Sequence, residues 1–354
     1  MKILVRGTNW IGDAVMSVPA LKELRRIFPD AEITLHTRTW AEGIFAEAPF
    51  IDDLVTFDKA KWSAKNVYRN SQFLKDDEYD LAVIFPNSFE SALTAVLSSI
   101  PRRFGYNRDL RGLLLTDPIP VPEWKDRRHE VYYYLNLVAA VEKRVLGRET
   151  VANSIPNTLL EVSEEQRAGA RARLVAEGID LERKLIAMGV GSTNSMAKRW
   201  PIENFVSLID SIFFAHDAQV LLIGSESEVN VAHEVSKRAG EVVDVVGKTS
   251  LSDAMAILSV SDLMISNDMG LAHLAPAVGT PTIVLFGPTN PTTTRPWGAN
   301  VTVLQRDAEC DYCTRGDNSG RHLCAKWSTV DEVEIATASI LASDSSVNDL
   351  ATAI

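Results

Sequence analysis

The chain has 354 residues, enough for two domains of ordinary size and too many for one small core. With 46% hydrophobic and 23% charged residues it has the make-up of a soluble globular protein, and no run approaches the roughly 18–20 apolar residues of a membrane span. A net charge of −11 argues against a general nucleic-acid binder, which needs a basic footprint. The acidity is uneven: residues 1–150 carry 21 Lys/Arg against 21 Asp/Glu, whereas residues 151–354 carry 15 against 26.

The opening Met-Lys-Ile-Leu-Val-Arg-Gly reads as a short strand, with neither an apolar signal core nor a cleavage site, so secretion is not expected. Lys2–Val5 is the first strand, and Ala14–Phe28 has apolar residues at helical spacing, closed by Pro29 and Asp30. Glu32–His36, Asp53–Phe57 and Asp80–Phe85 read as further strands with helical segments between them. An Arg-rich loop is expected at 102–111 and a helix near 129–146.

Residues 147–160 have the punctuation of a linker in Gly147, Asn153, Pro156 and Asn157. The division is residues 1–150, a connection at 151–160, and 161–354. In the second half Lys184–Met188, Gln219–Ile223, Val242–Val246, Asp262–Ser266 and Thr282–Phe286 are strands separated by helices, and Leu341–Ile354 is a tail that returns as a helix or frays. Such alternation predicts two open α/β domains with parallel sheets, facing across a cleft, with ligands at the carboxyl ends of the strands.

Loops at those ends carry the candidate chemistry. After the first strand comes Arg6-Gly-Thr-Asn-Trp-Ile-Gly-Asp13, in which Gly7 and Gly12 permit close backbone approach. Asp13 either projects into the cleft or caps the following helix, a role worth about 1 kcal/mol. The spacing fits neither the dinucleotide fingerprint nor a P-loop, which would need Lys at position 13.

In the second half Gly189–Pro201 combines small residues, the hydroxyls of Ser192 and Thr193, and the cations Lys198 and Arg199. That is an anion site in which a cation neutralises a phosphate leaving group, or else a solvated loop with an incidental basic pair. Ser266-Asn-Asp268-Met269-Gly270-Leu-Ala-His273 places Asp268 and Gly270 at a helix start, where free N–H groups favour phosphate. His273 falls a turn inside that helix, where a packed, supporting role is favoured. Gly287-Pro-Thr-Asn-Pro291 adds another small-residue loop at the same edge. Glu226, after the Gln219–Ile223 strand, either accepts two hydrogen bonds from ribose hydroxyls or decorates a first helical turn.

Arg102, Arg103, Arg108 and Arg111 form a basic group that is either solvated or a grip on an anionic acceptor, since guanidinium forks match carboxylate and phosphate. Lys125, Arg127 and Arg128 extend it toward an anionic membrane surface. Cys310, Cys313 and Cys324 lie together with His322 nearby; zinc would need all four, and plain structural thiols are the favoured reading.

Taken in order, these segments resemble the bacterial ADP-heptose:lipopolysaccharide heptosyltransferases of glycosyltransferase family 9, most closely the heptosyltransferase II branch. The resemblance runs over nearly the whole chain. It is carried by Arg6–Met16, by Pro86-Asn-Ser-Phe-Glu-Ser-Ala-Leu93 with Ile100-Pro-Arg-Arg-Phe-Gly-Tyr106, by Ala197-Lys-Arg-Trp-Pro201 and by Ser266–His273.

It implies a GT-B architecture of two Rossmann-like domains, acceptor on the first and ADP-sugar on the second. The implied reaction is an inverting, metal-independent transfer of heptose from ADP-L-glycero-D-manno-heptose to the first heptose of the lipopolysaccharide inner core. Asp13 matches the family's general base and Lys198 its donor-phosphate lysine. Asp268, Met269 and Gly270 match the turn holding the ADP-sugar, Glu226 the ribose carboxylate, and His273 a histidine near the diphosphate. Ser192 and Thr193 join the donor site, while Asn9, Trp10 and the four arginines join the acceptor site. No cofactor and no nucleic acid are implied; the setting is cytoplasmic, with peripheral contact at the inner membrane. The chain departs from the family at Met269, where relatives carry Ser or Thr, and in the Gly191–Ala197 loop. The competing readings are a GT-B transferase for another donor or acceptor, and a non-catalytic nucleotide-sugar binding module; a nicotinamide dehydrogenase is disfavoured for want of the glycine fingerprint.

Overall fold

Continuous apolar runs such as Ile3-Leu4-Val5 and Leu81–Ile84, buried on both faces, are the mark of parallel strands covered by helices. The structure, a computed structural model, describes residues 1–58, 64–193, 195–306 and 327–351. The chain divides into two units, Met1–Thr158 and Leu159–Ile354.

The first unit runs β1 (Lys2–Arg6), α1 (Ile11–Ile27), β2 (Glu32–Arg38), α2 (Glu42–Phe45), β3 (Asp53–Phe57), α3 (Ala64–Lys75), β4 (Leu81–Ile84), α4 (Phe89–Leu97), β5 (Arg102–Tyr106), β6 (Asp117–Ile119) and α5 (Glu130–Leu146). Its six strands are parallel in the order β3-β2-β1-β4-β5-β6. Helix α1 packs against α5. Helix α4 starts where Ser88 Oγ accepts the Ser91 N–H at 3.3 Å, and α5 ends on Gly147 with φ +66°, a left-handed stop that glycine adopts without strain.

The second unit repeats the plan with α6 (Glu164–Ala176), β7 (Leu185–Gly189), α7 (Ile202–His216), β8 (Gln219–Leu222), α8 (Val229–Ser236), β9 (Val242–Asp244), α9 (Leu251–Leu258), β10 (Leu263–Asn267), α10 (Gly270–Ala277), β11 (Thr282–Leu285), α11 (Pro291–Thr294), β12 (Val301–Leu304) and α12 (Val330–Ala351). Its parallel sheet has the order β12-β11-β10-β7-β8-β9, the same topology as the first. Trp200, Phe205, Ile186 and Ile265 lie in one buried core with Val333 of α12.

The predicted strands all form, but three more exist. Strand β5 occupies what the charge pattern suggested was an Arg-rich loop. Arg102 and Arg103 point their guanidiniums to Asp117 and to backbone carbonyls while Phe104 and Tyr106 are buried. Strand β6 escapes notice because Pro118 interrupts it, which an edge strand tolerates. Strand β12 is the other missed edge. The tail at 341–354, expected to return as a helix or fray, belongs as far as Ala351 to a helix that begins earlier, at Val330, and packs on α7, β10 and β11.

Candidate active site

In each unit the strand order turns back between the first strand and the fourth, and a crevice at that point is where open α/β sheets bind ligands. In the second unit these strands are β7 and β10. After β7 the chain passes through Gly191, where a Cβ would collide with the Glu228 carboxylate as it stands, so glycine permits this approach. It then runs through a short 3-10 turn, Met196–Lys198, to the fully buried Trp200. The Trp200 N–H donates to Asn267 Oδ1 at 2.9 Å, and Asn267 Nδ2 donates to the Val190 and Gly191 carbonyls at 2.9 and 3.0 Å. One buried asparagine at the end of β10 thus fixes both ends of the loop that carries Lys198.

Lys198 Nζ lies 2.6 Å from Asp268 Oδ2, and Thr289 Oγ1 donates to the same oxygen at 2.9 Å. Asp268 is 7% exposed, so the lysine and the hydroxyl offset the cost of holding its charge out of water. Helix α10 follows at once. Its N-cap is Met269, which makes no side-chain cap hydrogen bond, leaving first-turn amides to an anion. His273 is buried in α10. Cation, carboxylate and helix terminus therefore converge at one place in the second unit.

Other donor-side candidates are placed differently from one another. Ser192 is buried, and its carbonyl accepts Arg199 Nη2 at 3.0 Å; Arg199 shapes the loop rather than standing beside Lys198 as a second cation. Thr193 Oγ1 approaches Ser227 Oγ at 3.3 Å. Glu226 is exposed at the start of a 3-10 turn after β8. Glu228, which the sequence did not single out, is 2% exposed; Ser225 donates to its Oε2 through N–H and Oγ, while Oε1 has no hydrogen-bond partner among the described residues.

In the first unit the turning point lies between β1 and β4. Gly7 sits where a Cβ would be 2.8 Å from Thr37 Oγ1, so the loop hugs β2. Trp10, 52% exposed, is the N-cap of α1 in extended conformation and gives no side-chain cap. Asp13 is consequently inside the first turn rather than the cap, a position the helix dipole still favours for an acid. Tyr134 of α5 donates to Asp13 Oδ1 at 3.0 Å. Burial, with the negative charges of Asp13 and Glu130, holds the Tyr134 phenol well above its ordinary value, so it remains a donor. Glu130 is itself pushed up by burial, against the pull of Lys125 at 2.5 Å. Lys125 is thereby paired within the fold, while Arg127 and Arg128 are exposed.

The four arginines do not form one surface. Arg111 is buried, donating to Tyr106 O at 2.8 Å, to Pro86 O, and to Asn87 Oδ1 at 3.2 Å, and burial lowers it to about 10. Arg103 donates to the Leu114 and Ile100 carbonyls, and Arg102 pairs with Asp117 at 3.0 Å. Arg108 is exposed, 3.7 Å from Asp109. Asn9 Oδ1 accepts from Arg6 at 3.1 Å.

Among the described residues no group of three or more His, Cys, Asp and Glu is arranged to hold a metal ion. Cys310, Cys313, Cys324 and His322 lie outside the described residues. No described helix is long and apolar enough to cross a membrane.

Comparison with known proteins bears on this arrangement. The family model of glycosyltransferase family 9 (heptosyltransferase) matches residues 67–323. The lipooligosaccharide heptosyltransferase 2 of Haemophilus influenzae is 29% identical over 90% of this chain and 93% of its own. The lipopolysaccharide heptosyltransferase 2 of Escherichia coli is 27% identical over 90% and 91%. Among solved structures, the ADP-heptose LPS heptosyltransferase II of Escherichia coli superposes with a TM-score of 0.81 at 24% identity, covering 98% of this chain and all of that one. Its counterpart WaaC with ADP gives 0.71 at 18% identity, covering 96% of this chain and all of that one. These likenesses establish a GT-B fold of two Rossmann-like units. Since the family model spans most of the chain, the protein belongs to glycosyltransferase family 9, the heptosyltransferases.

Proposed function

We propose that the protein moves heptose from ADP-L-glycero-D-manno-heptose to the first heptose of the lipopolysaccharide inner core. It acts by single displacement with inversion, in the cytoplasm at the inner face of the membrane. The observation that carries this reading is the Lys198–Asp268 pair at the open start of α10, in a chain whose relatives over 90% of its length are heptosyltransferases 2.

Asp13 takes the proton of the acceptor hydroxyl, whose oxygen forms a bond to the anomeric carbon as the bond to the diphosphate breaks. The electron pair leaves with ADP. Lys198 and the first amides of α10 stabilise the charge that develops there, as donors fixed in place before reaction do. Asp268, neutralised by Lys198 and Thr289, sets the height of the lysine without opposing the phosphate. Where relatives carry a hydroxyl at position 269, Met269 leaves its backbone amide to serve. Tyr134 orients the base through its hydrogen bond to Oδ1. Glu226 takes the ribose hydroxyls, Ser192 and Thr193 border the phosphates, and His273 supports the turn from within. Asn9, Trp10 and Arg108 face the acceptor, while Arg102, Arg103 and Arg111 hold the scaffold beneath.

A matrix of nucleotide sugars against lipid acceptors tests the reading. ADP is expected to be released when ADP-heptose and mono-heptosylated Kdo–lipid A are both present. Equal release with a different nucleotide sugar, or none with this pair, overturns it.

A further inference from the structure

Two arginines lie outside the internal network that occupies Arg102, Arg103 and Arg111. Parallel register pairs Arg6 of β1 with His36 of β2, and Arg38 of β2 with Phe57 of β3. Side chains two apart on a strand share a face, so Arg6, His36, Arg38 and Phe57 lie on one face at the carboxyl edge of the sheet. Both guanidiniums sit over the same ring, Arg6 at 4.4 Å and Arg38 at 5.0 Å from the Phe57 centroid.

Arg6 is 9% exposed, yet among the described residues it meets only neutral acceptors: the Gly7 carbonyl at 2.5 Å, the His36 carbonyl at 3.4 Å and Asn9 Oδ1. The Arg38 guanidinium makes no hydrogen bond and no ion pair to a described residue. The carboxylates that act on this pair do so from a distance, Glu90 on both and Asp58 on Arg38. Asp58 is itself held by the Thr39 hydroxyl at 2.7 Å. A buried cation without a counter-ion is costly, and a second cation beside it adds to the cost. Burial and the Arg38 charge lower Arg6 to about 9. The neighbouring His36, 3% exposed and tilted against Phe57 with 4.6 Å between ring centroids, has a buried Nδ1 with no hydrogen-bond partner among the described residues. Two cations and an orphaned imidazole nitrogen in one place form a set of groups that an oxyanion completes.

We propose that Arg6 and Arg38 form an oxyanion site, with His36 at its base, that binds a phosphate or carboxylate group of the acceptor. Arg6 closes the strand that leads into the Asp13 loop, so an anion held there orients the acceptor relative to the base. This rests on the reading of the chain as a transferase acting on an anionic glycolipid.

Arg38→Gln is the informative variant, because Arg38 is half-exposed and its loss spares the internal bonds of Arg6. With intact acceptor its acceptor KM is expected to rise about tenfold or more, while the KM for ADP-heptose stays unchanged. The penalty is expected to vanish with either a dephosphorylated acceptor or one whose carboxyls are reduced to alcohols, and the one that abolishes it identifies the group. An unchanged KM, or an equal penalty on all three acceptors, overturns the site. A readout free of turnover separates this from failure of the proposed reaction. In a Lys198→Ala chain, inorganic phosphate is expected to show 31P line broadening that Arg38→Gln removes. Broadening that survives Arg38→Gln overturns the site; broadening removed by it, where the chain with Lys198 intact is inert to ADP-heptose, upholds the site and refutes the reaction.

Discussion

The two units share a strand order and treat charge at the turning point in opposite ways. In the second, the cation is matched: Lys198 meets Asp268, and Thr289 shares the load, beside a helix start whose backbone offers further donors. The first unit is built otherwise. Asp13 is held by a neutral phenol, and Arg6 and Arg38 meet no carboxylate among the described residues. On the proposed reading, one topology thus supports a site that stabilises a leaving diphosphate and another suited to activating a hydroxyl on an anionic partner. The difference lies entirely in loop and strand-end residues, as expected where function is grafted on a shared fold.

Replacing either acting group breaks this contrast most sharply. Asp13→Asn keeps size and removes the proposed base; kcat is expected to fall about 10²–10⁴-fold while the circular dichroism spectrum is unchanged. Lys198→Ala is expected to lower kcat about 10²–10³-fold, measured as ADP release at saturating acceptor. A fall confined to the donor KM would limit Lys198 to binding.

Arg111 sharpens the distinction between structural and functional arginines. Arg111→Leu strands the buried Tyr106 carbonyl and the part-buried Pro86 carbonyl, and is expected to cost about 1–3 kcal/mol in denaturant unfolding. Its acceptor KM is expected to stay within about twofold of the parent, since the loss lies in the scaffold.

The smallest effect concerns the end of the first unit. Burial pushes Glu142 up, but hydrogen bonds from Thr150 and Val151 outweigh it and hold the carboxyl below its ordinary 4.5. A lowered folded value means stability present above the unfolded value and lost as the pH falls below about 4.5. Melting curves of Glu142→Gln and parent are therefore expected to differ at neutral pH and to converge in acid. A constant gap would show that the bonds act without regard to charge.

How far the sequence foretold this differs between the sites for physical reasons. Lys198, Asp268 and Gly270 were visible because local order dictates their place: each follows a strand and borders a helix start. Tyr134 was hidden because it reaches Asp13 from 121 residues away, a contact that only packing of α5 on α1 creates. Strand β5 is masked by its own arginines, because charged residues are ordinarily a surface signal whereas Arg102 and Arg103 are partly buried and bonded within the fold. Glu226 and Glu228 are not separable by sequence, because nothing local distinguishes two acids two residues apart, whereas the fold buries Glu228 and exposes Glu226.

The most direct test of the central claim is the mass of a mono-heptosylated Kdo–lipid A acceptor after incubation with the protein and ADP-heptose. The acceptor is expected to gain one heptosyl residue, with one ADP released for each, and to gain none with Asp13→Asn. An acceptor of unchanged mass, or a gain that persists in Asp13→Asn at the parent rate, would contradict the account.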